Sequence, residues 1–157
     1  MGALVGYAIA GGVILVIIVI ASFSGIFQSE SKPELQKEDY CKGSAMCIEN
    51  TVTRIVDGDT IHVGSFIIRL SLVDTPERNE SGYSEASKFT STICPMGSIA
   101  IVDQDDLQPR DQYDRVLGKV ICSGKNLNEE LLLNNHAIFR DEFCETSEFA
   151  REKWNPC

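Results

Sequence analysis

Apolar residues form one unbroken block at the start of the chain and recur at short intervals after it. Residues 3–27 carry no charge and are mostly apolar, and this run exceeds the ~20 residues that a membrane-spanning helix needs. A cleaved secretory signal is the alternative, because Ser22-Phe23-Ser24 has the small-x-small form of a cleavage site. A signal, however, has a basic start and a shorter apolar run of ~7–15 residues. We therefore predict a single N-terminal helix over residues 1–27 that serves as a transmembrane anchor or a signal segment.

Beyond this block the pattern is that of a folded domain. The composition of residues 28–50 predicts a polar tether followed by a short cysteine-containing segment that leads into the domain. Strand-like alternation marks residues 51–56, 60–63, 66–72, 98–102 and 115–122. Helical spacing marks three segments, which begin near Ser84, at Asn128 and at Thr146 or Ser147. Strands with interspersed helices indicate an α+β domain built on a closed or partly closed barrel.

The second and third predicted strands form a hairpin. Gly64-Ser65 is a two-residue loop with glycine first, as a type II′ turn requires. Asp59 precedes the first arm and Asp74 follows the second, so both carboxylates lie at the same end of the hairpin and can reach one cation. Two carboxylates with backbone carbonyls suit Ca²⁺, which accepts loose geometry. The alternative is that Asp57-Gly58 is a turn signal and that Asp74 caps a loop.

Two arginines and a glutamate extend this candidate site. Arg69 lies in mid-strand and Arg115 begins a later strand, and two guanidinium groups on one phosphate would stabilise a pentacoordinate transition state. Glu77 follows Thr75-Pro76, where proline stiffens the backbone, and it is a candidate general base. The alternatives are that each arginine pairs with one of the many acids and that Glu77 is solvated. The acid-rich segment 103–114 lacks the EF-hand order, and we interpret it as a solvated loop.

The net charge of −9 falls entirely after residue 29. Proteins that grip nucleic acid by bulk electrostatics have a basic footprint instead. Any polyanionic substrate must therefore be held locally, by specific arginines and a bound cation.

Cysteine usage indicates the compartment. The six cysteines lie outside the apolar block and form no Cys-x-x-Cys pair, so zinc-ribbon spacing is absent. An even number behind a membrane segment favours disulfides in an oxidising space. Of the ~15 possible connectivities, we predict the pairs Cys41–Cys47, Cys94–Cys122 and Cys144–Cys157. The alternative is a cytoplasmic protein with free thiols, which Lys32 and Lys37 after the block favour weakly under the positive-inside rule.

Five ordered segments resemble the staphylococcal nuclease (thermonuclease) family. They are Ile55–Thr60, Arg69–Glu77, Tyr83–Ser87, Asp111–Arg115 and Leu127–Leu131, and the resemblance covers about residues 51–154. It implies that residues 51–157 form a five-stranded OB-type β-barrel with three helices. It also implies Ca²⁺-dependent hydrolysis of DNA and RNA phosphodiesters, leaving 3′-phosphate ends.

The resemblance also implies roles for individual residues. Asp59 and Asp74 match carboxylate ligands of Ca²⁺, and Thr75 matches a backbone-carbonyl ligand. Arg69 and Arg115 match the phosphate-binding arginines. Glu77 matches the presumed general base, and Tyr113 matches a nucleotide-contacting tyrosine.

Two departures from the family pattern fall beside the second arginine. Asp114 replaces a glycine, so that it either pairs with Arg115 or strains a tight turn. Gln112 stands where a lysine is common in the family. These changes affect substrate affinity and choice more than the type of reaction.

The sequence thus predicts a monomeric, membrane-tethered, extracytoplasmic nuclease acting on DNA or RNA, or a secreted one if the first segment is cleaved. The rival prediction is a non-catalytic module that binds oligonucleotide or protein. Acidic charge favours the rival. The full set of Asp59, Asp74, Glu77, Arg69 and Arg115 argues against it, because a module without catalysis has no need of all five.

Overall fold

The computed structural model describes residues 39–157. The predicted anchor over residues 1–27 and most of the tether lie outside the described residues. Among residues 39–157, no helix is both long enough and apolar enough to cross a membrane.

Five of the eight strands in residues 39–157, the first, second, third, fifth and sixth in chain order, close into a barrel. The strands of the described chain are β1 (Cys47–Ile55), β2 (Thr60–Val63), β3 (Phe66–Leu70), β4 (Val73–Asp74), β5 (Ile99–Gln104), β6 (Val116–Cys122), β7 (Lys125–Asn126) and β8 (Ile138–Phe139). The sheet order is β3-β2-β1-β5-β6-β7, and a further parallel pairing of β3 with β6 closes the barrel. This closed five-stranded barrel fits the OB-type architecture that the sequence predicts.

The β2–β3 hairpin is confirmed. Val63 pairs with Phe66 across the loop, and Gly64 has a φ of 58°, the sign that a type II′ turn requires at its first loop position. The third strand is shorter than predicted, because Leu72 has a φ of 64° and ends the alternation. The chain then turns into β4, which pairs with the distant β8.

The helices cover the barrel, and their starts differ from the predicted ones. Helix α1 spans Tyr83–Ile93 and is preceded by Gly82 rather than capped by Ser84. Helix α2 spans Leu127–Leu133 and is capped by Asn126, whose side chain accepts from the Asn128 and Glu129 N–H groups. The third helical segment is a short 3₁₀ helix, Glu148–Arg151, capped by Ser147. A further 3₁₀ helix covers Asp141–Thr146.

Asn128 is buried in the first turn of α2 and joins β6 to the turn that follows β3. Its carboxamide donates to the carbonyls of Ser71 (2.9 Å) and Gly118 (3.2 Å) and accepts from the Val120 N–H (3.1 Å). The segment after β3 is thereby joined to β6. This contact helps to hold the turn that leads into Asp74.

The core and the disulfides fix this frame. Buried aliphatic side chains of the strands meet Leu127 and Leu131 of α2 inside the barrel. All three predicted disulfides, Cys41–Cys47, Cys94–Cys122 and Cys144–Cys157, are confirmed. The second of them joins the end of α1 to the end of β6.

The acid-rich segment differs from its prediction as a solvated loop. Asp103 and Asp105 are each only 1% exposed. The Lys119 ammonium lies 3.3 Å from Asp103, and Asp105 accepts from the Ser147 hydroxyl and the Glu148 N–H. These carboxylates are buried because each has cationic or hydrogen-bonding partners.

Candidate active site

Arg69 brings the two predicted ligand carboxylates together. It lies on β3, opposite Thr60 of β2. Its Nη2 atom lies 3.3 Å from Asp59 Oδ2 and 2.6 Å from Asp74 Oδ1. Its Nη1 atom donates to the carbonyls of Leu70 and Val73. The Arg69 guanidinium therefore lies between Asp59 and Asp74, the two carboxylates that the sequence predicts to bind a cation.

Asp59 is a buried carboxylate with several donors. Its Oδ2 atom accepts from the Thr75 N–H (2.6 Å) and hydroxyl (2.9 Å), and its Oδ1 atom accepts from the Thr60 hydroxyl (3.2 Å). Burial raises the pKa of the Asp59 carboxyl above its ordinary value, although Arg69 and the Thr75 N–H act in the opposite direction. The surrounding groups therefore leave part of the cost of burying this charge uncompensated.

Gly58 makes the close approach of Thr75 to Asp59 possible. A Cβ atom at Gly58 would lie 2.6 Å from Thr75 Oγ1 and 2.8 Å from the Ala86 Cβ. The Gly58 carbonyl also accepts from the Thr90 hydroxyl of α1. Asp57 accepts from the Asp59 N–H, so it is a turn residue, as its turn interpretation predicts.

Arg115 is positioned by Asp111. The Asp111 carboxylate accepts from the Arg115 Nε (2.6 Å) and from the N–H groups of Tyr113 (2.9 Å) and Arg115 (3.0 Å). Burial acts to raise the pKa of Asp111, but these hydrogen bonds bring it below its ordinary value. The Arg115 guanidinium also lies over the Tyr113 ring, 5.4 Å from its centroid. Its Nη1 atom reaches the Thr60 hydroxyl at 3.4 Å.

Of the two alternatives for Asp114, the structure favours the strained turn. Asp114 has a φ of 65°, in the left-handed region that glycine adopts at little cost. Its carboxylate pairs with Arg110 at 3.1 Å. Arg115 therefore keeps its contacts with Asp111 and Thr60.

Arg69, Arg115 and Tyr113 line one cavity of about 240 Å³. We call it the arginine cavity, and Leu117, Gln112, Arg140 and Phe143 also line it. Arg69 and Arg115 each form an ion pair with an acid, Asp74 and Asp111 respectively, as the alternative interpretation of the two arginines predicts. Both arginines nevertheless also line the arginine cavity. Thr60 and Asp59 connect them through hydrogen bonds and an ion pair.

Arg140 is a residue of this site that sequence reasoning missed. Its Nη1 atom donates to Asp74 Oδ2 at 2.9 Å, while Arg69 holds Oδ1 of the same carboxylate. It follows β8, whose Phe139 pairs with Val73 of β4. A pairing between segments 66 residues apart leaves no local pattern, so the sequence contained no signal for this contact.

Glu77 stands apart from the other predicted residues. It is exposed in the loop after β4, and its N–H donates to Glu80 at 2.8 Å. Among the described residues, no group hydrogen-bonds or ion-pairs with its carboxylate. The structure thus gathers Asp59, Asp74, Thr75, Arg69, Arg115 and Tyr113 around connected contacts, but it does not join Glu77 to them.

The donor set at Asp59, Asp74 and Thr75 fits a hard cation. Carboxylate and carbonyl oxygens are the ligands of Ca²⁺, and both carboxylates approach one atom of Arg69. The incompletely compensated charge of Asp59 favours a nearby cation. Residues 39–157 contain no group of three or more His, Cys, Asp or Glu side chains arranged to hold a metal. A cation here would therefore depend on these two carboxylates, backbone oxygen and water.

Comparison with known proteins identifies the family of this chain. Residues 67–153 match the family described as staphylococcal nuclease homologue, a range that includes every predicted site residue except Asp59. The chain is 36% identical over 106 residues to Endonuclease YhcR of Bacillus subtilis (strain 168), covering 57% of this chain and 9% of that protein.

Two other Bacillus subtilis proteins are also similar to this chain. Endonuclease YncB is 33% identical over 103 residues, covering 59% of this chain and 48% of the relative. SPbeta prophage-derived endonuclease YokF is 36% identical over 95 residues, covering 54% and 32%. The matches thus span less than half the length of each of these relatives. Because the family match extends over more than half of its 157 residues, the protein belongs to the staphylococcal nuclease homologue family.

Proposed function

We propose that this protein is a Ca²⁺-dependent nuclease that hydrolyses DNA or RNA phosphodiesters and leaves 3′-phosphate ends. The observation that carries the proposal is the arginine cavity. There, two arginines that match phosphate-binding positions face one space and connect to the Asp59–Asp74 pair. The endonuclease names of the relatives support the same reaction class.

Each residue has a distinct part in the proposed reaction. Arg69 and Arg115 bind the scissile phosphate and stabilise the charge that develops on its oxygens. Asp59, Asp74 and Thr75 would hold Ca²⁺, which supplies further positive charge beside that phosphate. Tyr113, which is 71% exposed on the cavity wall, contacts the nucleotide.

Glu77 supplies the base. Asp59 and Asp74 are assigned to the cation, whereas the Glu77 carboxylate has no hydrogen-bond or ion-pair partner among the described residues and is free to take up a proton. It accepts the proton of a water that attacks phosphorus in line, and the bond from phosphorus to the 5′ oxygen breaks. The phosphate stays on the 3′ oxygen, and the 5′ oxygen takes up a proton.

Placement of the domain outside the cytoplasm belongs to the same proposal. Three disulfides hold the described chain, and disulfides persist in oxidising compartments. The apolar run over residues 3–27 would tether a monomeric domain at the outer face of a membrane, or direct its secretion if it is cleaved.

Two substitutions test the mechanism. Glu77→Gln and Arg115→Ala should each lower the turnover of single-stranded DNA by about two orders of magnitude or more, because each removes one acid/base or electrostatic contact. Glu85→Gln and Arg54→Ala are matched controls on exposed positions of α1 and β1, and they should cleave normally. Near-wild-type cleavage by both site variants would refute this assignment.

Removal of the cation tests the metal dependence. Cleavage should stop in chelator and return with added Ca²⁺, whereas cleavage that persists in chelator contradicts a metal requirement. The rival function, a non-catalytic binding module, is favoured by the pairing of both arginines with acids and by the net charge of −9. Binding of oligonucleotide by the wild-type protein without cleavage under any divalent cation would support the module.

A further inference from the structure

Lys119 and Asp103 form a buried pair across two neighbouring strands of the barrel. They are direct partners in the antiparallel register of β5 and β6. The Lys119 Nζ atom lies 3.3 Å from Asp103 Oδ2, and the two side chains are only 7% and 2% exposed. We propose that these side chains condense into an amide, an intramolecular isopeptide bond that joins β5 to β6. Such a bond is a modification of the fold and does not depend on the proposed nuclease function.

Burial disfavours the charged forms of both groups. A buried ammonium and a buried carboxylate lose the hydration that stabilises their charges. Burial raises the pKa of the Asp103 carboxyl above its ordinary value, although Lys119 and the Lys42 N–H act in the opposite direction. Among the described residues, no donor hydrogen-bonds to Asp103 Oδ2, so the Lys119 charge is the main compensation at this atom. A neutral amide removes the cost of burying two charges.

Glu152 is placed to carry protons for this pair. Its Oε1 atom accepts from the Lys119 Nζ at 2.6 Å, so Nζ contacts two carboxyl groups at once. Its Oε2 atom accepts from the Trp154 Nε1 at 2.6 Å, which fixes the Glu152 carboxylate. The buried Phe149 ring, whose centroid is 5.1 Å from Nζ, helps to exclude water from the pair. A base and a buried carboxyl group beside one amine are the parts that acyl transfer to nitrogen requires.

The step is a condensation that loses one water molecule. Glu152 takes a proton from the Lys119 ammonium and passes it to Asp103 Oδ2, which leaves a neutral amine beside a neutral carboxyl group. The electron pair of the amine attacks Asp103 Cγ, and the Nζ–Cγ bond forms. A second proton moves from Nζ through Glu152 to Oδ2, the Cγ–Oδ2 bond breaks, and Oδ2 leaves as water. One ammonium and one carboxylate thus become one neutral amide, and no co-reactant is needed.

The strands hold the reacting groups together. Gln104 pairs with Gly118 next to Asp103 and Lys119, and a Cβ atom at Gly118 would lie 2.6 Å from the Asp103 carbonyl oxygen. The lack of a side chain at Gly118 therefore allows the two strands to approach closely. Asp103 Cγ is one bond from Oδ2, so Nζ needs only a small movement to reach it. Well-oriented groups within one molecule react at effective molarities of about 10⁵–10⁸ M, which replaces the activation that a free acid requires.

The bond closes the base of the segment that carries Arg115. Residues 104–118 lie between the two linked positions and include Asp111, Tyr113 and Arg115 of the candidate site. The Cys94–Cys122 disulfide also ends on β6, but thiols open a disulfide by exchange, whereas they do not open an amide. This wall of the arginine cavity should therefore stay attached at both ends in a reducing medium.

Peptide mapping of the full chain tests the proposal. Trypsin cleaves after lysine and arginine, so Asp103 falls in residues 89–110, while Lys119 separates residues 116–119 from residues 120–125. The disulfides are reduced first, because Cys94 and Cys122 join the same segments. Mass spectrometry of the reduced wild-type digest should find residues 89–110 joined to residues 116–125, with no cleavage after Lys119 and a mass one water molecule below the sum. Separate, unmodified peptides would overturn the proposal.

Two variants test the assigned roles. Lys119→Arg keeps a positive charge without an amine nucleophile, so its digest should contain no joined peptide. Glu152→Gln removes the proton carrier, and its joined fraction should fall below about a tenth of that in the wild type, because a general base contributes about 10²–10⁴-fold in rate. Lys125→Arg is the matched control: Lys125 also pairs with an acid, Glu130 at 3.5 Å, but is 56% exposed, and the joined peptide should persist.

The remaining outcomes also decide between the roles. A joined peptide in Lys119→Arg, or one in which Lys119 is linked to Glu152, would overturn the assignment to Asp103 and Lys119. A wild-type level of joined peptide in Glu152→Gln would overturn the role of Glu152. If either variant does not fold, the wild-type digest alone decides whether the bond forms, since it requires no substitution.

Discussion

Gly58→Ala adds one methyl group at the point where the Asp57–Thr60 turn contacts Thr75. The new Cβ would lie 2.6 Å from Thr75 Oγ1, 2.7 Å from Thr75 Cγ2 and 2.8 Å from the Ala86 Cβ. Gly58 is not among the residues with positive φ, so the backbone itself would accept alanine. The substitution therefore tests a requirement for space at this position.

The crowding around the added methyl group sets the expected loss of stability and of cleavage rate. Insertion of a methyl group into a packed site costs about 1–3 kcal/mol, or roughly 4–12 °C in Tm for a domain of this size. Relief of the contact requires Thr75 to move, and Thr75 donates both its N–H and its hydroxyl to Asp59. Since a displacement of about 1 Å can cost about 100-fold in rate, we expect a loss of cleavage of that order.

Urea unfolding and initial rates of DNA cleavage over a range of Ca²⁺ concentrations would measure both effects. Gly97→Ala is the control: its φ is 87° and an added Cβ would meet no atom within 4 Å. It should lose about 1 kcal/mol through backbone strain alone and cleave at the wild-type rate. A Gly58→Ala protein with wild-type stability and wild-type cleavage would refute the argument that Gly58 is needed for the approach of Thr75.

Two further predictions concern stability. The Cys94–Cys122 disulfide is buried and closes a sequence separation of 28, so replacement of both cysteines by alanine should cost about 3.5 kcal/mol in urea unfolding; a loss below about 1 kcal/mol would contradict this. Burial and the nearby acidic side chains raise the pKa of Glu148 from 4.5 to about 7. The folded state binds the Glu148 proton more tightly than the unfolded state does. Protonation of Glu148 therefore stabilises the fold fully below pH 4.5, and this contribution to the free energy of unfolding is lost as the pH rises to about 7. Glu148→Gln can still accept from the Asp106 N–H, and its Tm relative to wild type should rise between pH 4.5 and 8, by an equivalent of about 1 kcal/mol after allowance for solvent screening. A difference in Tm that does not change with pH would show that this proton is not linked to folding.

Local patterns allowed much of the fold to be predicted. The β2 strand and its glycine turn have the predicted bounds, because alternation and turn chemistry depend on adjacent residues. Helix caps were less well predicted. Asn126 and Asn128 both have the side chain of a good cap. The structure uses Asn126 as the cap, while the buried Asn128 joins the segment after β3 to β6.

Local sequence patterns did not predict which carboxylates are buried or which of them join the candidate site. Asp103 and Asp105 belong to an acidic run that suggested a solvated loop, yet Lys119 and Ser147 neutralise or bond them in the interior. Glu77 follows Thr75 by two positions, but its side chain makes none of the contacts that join the other predicted residues. Such outcomes depend on the partners that the fold supplies.

The sequence by itself determined the family resemblance and the hairpin that sets Asp59 and Asp74 at one end. These features follow from short-range spacing and from residue types that suit a given chemistry. The sequence left about 15 connectivities for the six cysteines, and the tertiary structure decided among them. Only the tertiary structure decided that Arg69 and Arg115 share a cavity, since that requires the parallel pairing of β3 with β6. It also decided that Arg140 joins them, through the pairing of β4 with β8. Contacts between segments far apart in the chain have no local signature, because their geometry is set by the closure of the barrel.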